Sequence, residues 1–177
     1  MDLPLALIAL LTLLSFLLKS SFLPRPGALV IAMGLALAVG LAIPWLTRQS
    51  AATVTGWTSE PDRMLDAAVC LVLEIALMVA FCFSHAAGKF RWLRYYPGLL
   101  VFPACCWAWS QLLFSWPGLD FGRLAWIAAL ATGVVAFAGI GLLRKFIPEE
   151  ETRLEVLFLV NLFLLLLTIA ATGAITF

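Results

Sequence analysis

Charged residues fall in tight clumps along this chain, and the intervals between the clumps are almost wholly apolar. About 20 apolar residues in a helix are needed to cross a ~30 Å hydrocarbon core. Cutting the chain at its charges and at Pro/Gly punctuation gives six such stretches, at residues 3–23, 27–46, 65–83, 98–116, 124–143 and 156–176. They predict an all-α integral membrane protein: a bundle of six transmembrane helices in one domain over residues 1–177. Only Pro24-Arg25-Pro26 separates the first two stretches, so they are expected to form an antiparallel hairpin.

Local signals refine the ends. Ser59 is an N-cap candidate, with Glu60 and Asp62 in the first turn of the third helix. Pro148 followed by Glu149, Glu150 and Glu151 is a helix start, which extends the sixth helix into water. Small residues mark the second helix (Ala28, Ala32, Ala36, Gly40, with Gly34, Ala38 and Ala42 on a neighbouring face) and the fifth (Ala125, Ala129, Gly133, Ala136, Gly141). Such spacing lets backbones approach closely in lipid. The first and sixth helices are leucine-rich and are expected at the lipid-facing rim.

Composition supports lipid as the solvent. The chain is 64% hydrophobic and 12% charged, with a mean hydropathy of +1.07; soluble domains run near ~45–50% apolar and ~25% charged. The net charge of +1 and the absence of a basic run give no basis for nucleic-acid binding. Met1-Asp2 lacks a basic n-region and no small-residue cleavage site follows, which predicts a retained first span.

The eleven Lys and Arg residues set the orientation. Lys19, Arg25, Lys89, Arg91, Arg94, Arg144, Lys145 and Arg153 lie on one side, and Arg48, Arg63 and Arg123 on the other. The richer side is expected to be cytoplasmic, which places both termini on the outer, periplasmic side of a bacterial inner membrane. Aromatic residues agree: Trp92, Tyr95 and Tyr96 mark one interface, while Trp45, Trp57, Trp116 and Trp126 mark the other.

Candidate chemistry is sparse. Glu74 sits near the middle of the third span, where an ionisable group costs at least ~2.5–3.5 kcal/mol on insertion scales. Asp62, Asp66, Cys70 and Glu74 follow at four-residue intervals, on one stripe from the outer surface to mid-membrane. One reading is a proton or cation path. The other is a protonated Glu74 hydrogen-bonded to another helix, with Gln111 and Asn161 as candidate partners.

The fourth span carries Cys105, Cys106, Trp107, Trp109 and Ser110, with Pro103 expected to loosen the helix by freeing the carbonyl of Leu99. These residues suit either a pocket for a hydrophobic ligand or ordinary core packing. On the inner surface Lys89, Arg91 and Arg94 lie beside aromatic residues, fit for lipid headgroups. There Glu149, Glu150, Glu151 and Glu155 flank Arg153, with Arg144 and Lys145 as partners in cis or a basic partner in trans.

Other chemistries lack residues. The cysteines Cys70, Cys82, Cys105 and Cys106 form no CxxC pair, and the single histidine, His85, cannot build a bis-His haem or a His-rich metal site. No Ser/His/Asp set, paired intramembrane aspartates or phosphate loop is legible. No cofactor, metal or catalytic residue is expected, and an enzyme, including one acting on lipid, is disfavoured.

In size and span number the chain resembles the substrate-binding subunits of energy-coupling-factor vitamin transporters, whose usual cytoplasmic termini differ from those expected here. A lone membrane carboxylate and minimal loops also resemble the small membrane subunits that accompany ExbB/TolQ-like proton-driven motors. These residues lead to a multi-pass membrane protein whose partners are the bilayer and other membrane subunits or itself. Two functions stay open: a non-catalytic subunit of a transport or energy-coupling assembly, or a small homo-oligomeric transporter using Glu74.

Overall fold

A computed structural model describes residues 3–48, 61–87, 93, 95–115 and 121–173. Among these residues there are six α-helices: α1 (Leu3–Ser20), α2 (Arg25–Leu46), α3 (Pro61–Ala87), α4 (Val101–Ser115), α5 (Phe121–Phe146) and α6 (Glu150–Gly173). No strand occurs among the described residues. Four helices contain stretches long and apolar enough to cross a membrane, at Arg25–Leu46, Asp66–Ser84, Gly122–Phe146 and Glu150–Ala170.

The other two are shorter than the sequence pattern predicts. α1 stops at Ser20, where the chain turns through Ser21–Leu23 into Pro24. α4 begins at Val101, and its 15 residues rise only ~22 Å. Pro103 accounts for that start. It falls in the first turn of α4, where its missing N–H belongs to the unpaired N-terminal set, so it opens the helix and does not loosen it.

The bundle is apolar outside and polar within. Trp126, Phe146 and Leu41 are each more than 70% exposed, whereas Ser15, Glu74, Ser110, Asn161 and Thr168 are buried. In water that arrangement leaves a very large apolar surface uncovered; in lipid it is the expected one. α6 shows it most plainly. Arg153, Leu157, Asn161, Leu164 and Thr168 form its buried stripe, while Phe158, Leu159, Leu162, Phe163, Leu166 and Ile169 face outward.

α2 and α5 make the most extensive pairing, and the small-residue stripes account for it. A Cβ added to Gly40 would lie 2.9 Å from the Ala129 Cβ, and one added to Gly133 would lie 3.1 Å from that of Ala36. The two backbones thus approach to the limit that glycine allows. Pairing of residue 40 with 129 and of 36 with 133 makes the helices antiparallel and puts the exposed Trp45 and Trp126 at the same end. Gly34 and Gly141 lie on open surface, with nothing near their Cβ positions.

α1 departs from the rim position that its leucines suggest. It packs against α4, α5 and α6, and Thr12, Ser15, Phe16, Leu18 and Lys19 are buried. Its polar residues explain the placement. Ser15 and Asn161 of α6 exchange hydrogen bonds at 3.0 and 3.3 Å, and in hydrocarbon such groups must face protein.

The Gly40→Ala substitution is expected to destabilise by about 1–3 kcal/mol, because the α2 and α5 backbones must separate. Gly34→Ala, on open surface, should be neutral or stabilising through helix propensity. Reversible unfolding of the two variants in detergent checks the contrast; equal losses would remove the close-approach account.

Candidate functional site

The third span is continuous, but the chain that follows it is not. Glu74 lies thirteen residues from either end of α3, ~20 Å along the helix from each. Yet its carboxylate meets the backbone between α3 and α4. The Leu99 N–H donates to Glu74 Oε2 at 2.6 Å, and the Tyr96 hydroxyl donates to the same oxygen at 3.0 Å. The non-helical segment 95–100 therefore runs back into the bundle to the middle of α3, and α4 follows it.

Local chemistry explains the path. Pro97 and Gly98 break the helix, and Gly98 takes φ +104°, a conformation that suits glycine alone. Space imposes the same choice, since a Cβ on Gly98 would stand 2.6 Å from Glu74 Oε1. Non-helical backbone at membrane depth is tolerated only where protein satisfies its polar groups. Glu74 satisfies the Leu99 N–H just ahead of α4, where the helix dipole also favours negative charge.

The carbonyl side of the segment has its own partner. Lys19 Nζ donates to the Tyr96 carbonyl at 2.5 Å, lying 4.5 Å from the Tyr96 ring centroid and 5.5 Å from that of Phe81. Lys19 turns inward and is 2% exposed. Glu74 is 4% exposed, and the two charges attract each other across Tyr96. Glu74, Lys19, Tyr96 and the Leu99 N–H thus form one polar cluster in an apolar bundle.

Asp62, Asp66, Cys70 and Glu74 all lie on the continuous α3, and the two amides lie elsewhere. Asp62 lies in the first turn of α3, Asp66 is exposed and Cys70 half-buried. Asn161 bonds Ser15 and the Leu157 carbonyl, not Glu74. Gln111 lies twelve residues beyond Leu99 along α4, ~18 Å from the Glu74 carboxylate by helical rise. Neither amide is therefore the partner of Glu74. Among the described residues no three His, Cys, Asp or Glu side chains gather as a metal site.

Two arginines converge on the α1–α2 turn. Arg144 donates from Nε to the Ser21 carbonyl at 3.0 Å, and its other nitrogen reaches the Leu23 carbonyl. Arg153 donates to the same Ser21 carbonyl at 3.3 Å and lies 5.1 Å from the centre of the Phe22 ring. They satisfy carbonyls of the turn, whose amides are spent on the last carbonyls of α1. Glu150 sits 3.7 Å from Arg153, and Glu149 accepts from the Thr152 hydroxyl. Glu151, Glu155 and Lys145 are exposed. Lys89, Arg91 and Arg94 lie outside the described residues.

Of the pocket candidates on α4, Cys105 and Trp109 line an apolar cavity of about 180 Å³ between α1, α2, α4 and α5. Trp109 donates from its indole N–H to the Thr132 hydroxyl at 2.9 Å. Ser110 is buried and bonds the Trp107 carbonyl at 2.7 Å. Cys106 and Trp107 are half-buried.

Sequence reasoning selected Glu74 and missed its partners. Pro97-Gly98 was a signal for them, because it places a chain break between uncharged residues on both sides, Tyr95-Tyr96 and Leu99 onward. A second was the Thr12, Ser15, Lys19 spacing, which puts Lys19 on the polar face of α1.

Gly98→Ala is expected to cost at least ~2 kcal/mol, from backbone strain and overlap with Glu74 together. For the charges, Lys19→Met and Glu74→Gln should each destabilise, and the double variant should lose less than the sum by ~1–3 kcal/mol. A double-mutant cycle on unfolding in detergent tests the coupling, and strict additivity would separate the two residues.

The chain matches no protein-family model, no curated protein and no solved structure. What its residues and geometry show is a protein that is helical throughout its described secondary structure, with four helices among the described residues long and apolar enough to cross a membrane.

Proposed function

We propose that this chain is a six-span, non-catalytic subunit of a larger membrane transport or energy-coupling assembly, with both termini on the periplasmic side of a bacterial inner membrane. One observation carries the reading: the buried charged side chains are engaged with the chain's own backbone. Glu74 holds the Leu99 N–H, Lys19 the Tyr96 carbonyl, and Arg144 and Arg153 the carbonyls of the α1–α2 turn. Such charges stabilise a scaffold. The exterior offers broad apolar helix faces, with Gly34 and Gly141 uncovered for close approach by other helices. A subunit accompanying an ExbB/TolQ-like motor is one form of this reading.

The test is extraction of the tagged protein from native membranes in mild detergent, followed by intact-mass measurement of the complex. Foreign membrane subunits in fixed stoichiometry are expected. A lone chain that functions by itself in liposomes would overturn the reading.

A second reading has its own support in the break at Glu74. Transporter sites are commonly built where a helix starts at mid-membrane, with its N-terminal dipole facing an acidic group or a substrate. In that case the chain is a small homo-oligomeric transporter moving a proton or cation through Glu74. Glu74→Gln should then abolish uptake and its pH dependence in liposomes, and unchanged uptake would dismiss it.

A further inference from the structure

The cavity between α1, α2, α4 and α5 has a property that neither functional reading uses. Its walls are apolar, formed by residues such as Phe16, Leu35, Cys105 and Ala136, and one hydroxyl interrupts them, that of Thr132. Two other threonines within the described helices turn back on their own helices. Thr12 donates to the Ile8 carbonyl at 2.8 Å and Thr168 to the Leu164 carbonyl at 2.7 Å. Thr132 does not. It accepts the Trp109 N–H, and its own proton has no acceptor among the described residues. The cavity therefore presents a hydrogen-bond donor in an apolar wall, where an unmet donor is costly.

Three quantities restrict what would fill it. The volume of about 180 Å³ is slightly larger than the ~150 Å³ apolar cavity that accommodates a benzene ring. The unmet group is a donor, so the occupant must bring an acceptor. Depth is the third: Thr132 lies eleven residues from the start of α5 and fourteen from its end, about 17 and 21 Å along the axis. The ester carbonyls of phospholipids stay near the headgroups, far from that level. An acceptor reaching the middle of the bilayer must belong to a molecule that is lipophilic throughout. Phe16 and Trp109 in the walls suit a planar ring.

We infer that the α1–α2–α4–α5 cavity binds a lipophilic molecule of the quinone class, with its planar ring between the helices and a ring carbonyl accepting from the Thr132 hydroxyl. Only binding is assigned; no electron transfer is required of the chain.

The experiment uses the full chain in vesicles of saturated phosphatidylcholine, with empty vesicles as the partition control. The probes are tritiated decyl-substituted benzoquinone and, lacking an acceptor, decylbenzene. One saturable quinone site per chain is expected, with decylbenzene bound at least several-fold more weakly. Thr132→Val should weaken quinone binding by about two- to tenfold, the value of one hydrogen bond, while Thr132→Ser keeps it. Ala136→Phe should fill the cavity and abolish binding. Equal binding of the two probes would make the cavity a mere acyl-chain recess and overturn the proposal, as would no saturable binding above empty vesicles. Both of those outcomes are read on the unaltered protein, so a variant that fails to fold does not shield the inference.

Discussion

In hydrocarbon no water is present to satisfy a backbone amide or carbonyl, so each helix break must be satisfied from within the protein. The segment between α3 and α4 is such a break, and it reaches the middle of α3. Two side chains answer it. Glu74 takes the Leu99 N–H and Lys19 takes the Tyr96 carbonyl, while Tyr96 itself joins them through its hydroxyl. Without those bonds, several kcal/mol of unsatisfied polar groups would lie inside the bundle. The short α4, the inward turn of Lys19 and the obligatory glycine at position 98 all follow from this requirement.

The same logic operates at the C-terminal end of α1. The amides of Ser21, Phe22 and Leu23 meet the last carbonyls of α1, which leaves the carbonyls of the turn itself to be satisfied from elsewhere. Arg144 from α5 and Arg153 from α6 reach those of Ser21 and Leu23, tying both helices to the first hairpin. Phe22 then packs on Phe81, with ring centroids 5.7 Å apart, beside Leu18 and Leu157. Charge and apolar burial act together there: the guanidinium groups fix the turn, and the turn aims Phe22 into the core. Elsewhere the bundle adheres by close backbone approach, as at Gly40 and Gly133, because lipid removes any hydrophobic drive between apolar helices.

These roles bear on what the interior can do chemically. A carboxylate that receives a backbone N–H, a phenol and the attraction of a nearby ammonium is held in one place, which suits a structural tie. A proton carrier would have to exchange those partners as it cycled. The Thr132 hydroxyl contrasts with this cluster, because it lines a cavity and its proton meets no acceptor among the described residues.

Much of the fold was legible in the sequence because the solvent leaves a plain signature. Apolar runs of spanning length located the helices, the small residues of α2 and α5 foretold their close contact, and a lone acidic residue in an apolar run singled out Glu74. Each is a local property, fixed by neighbours one or two turns away. The tertiary structure decided what the local pattern could not carry: that α1 is central and not at the rim, that Lys19 points inward, and that residues 95–100 fold back to Glu74. The partner of Glu74 is a main-chain N–H twenty-five positions away, and every residue but proline carries one, so no side-chain pattern can announce it. Only the three-dimensional path of the chain brings that N–H to the carboxylate.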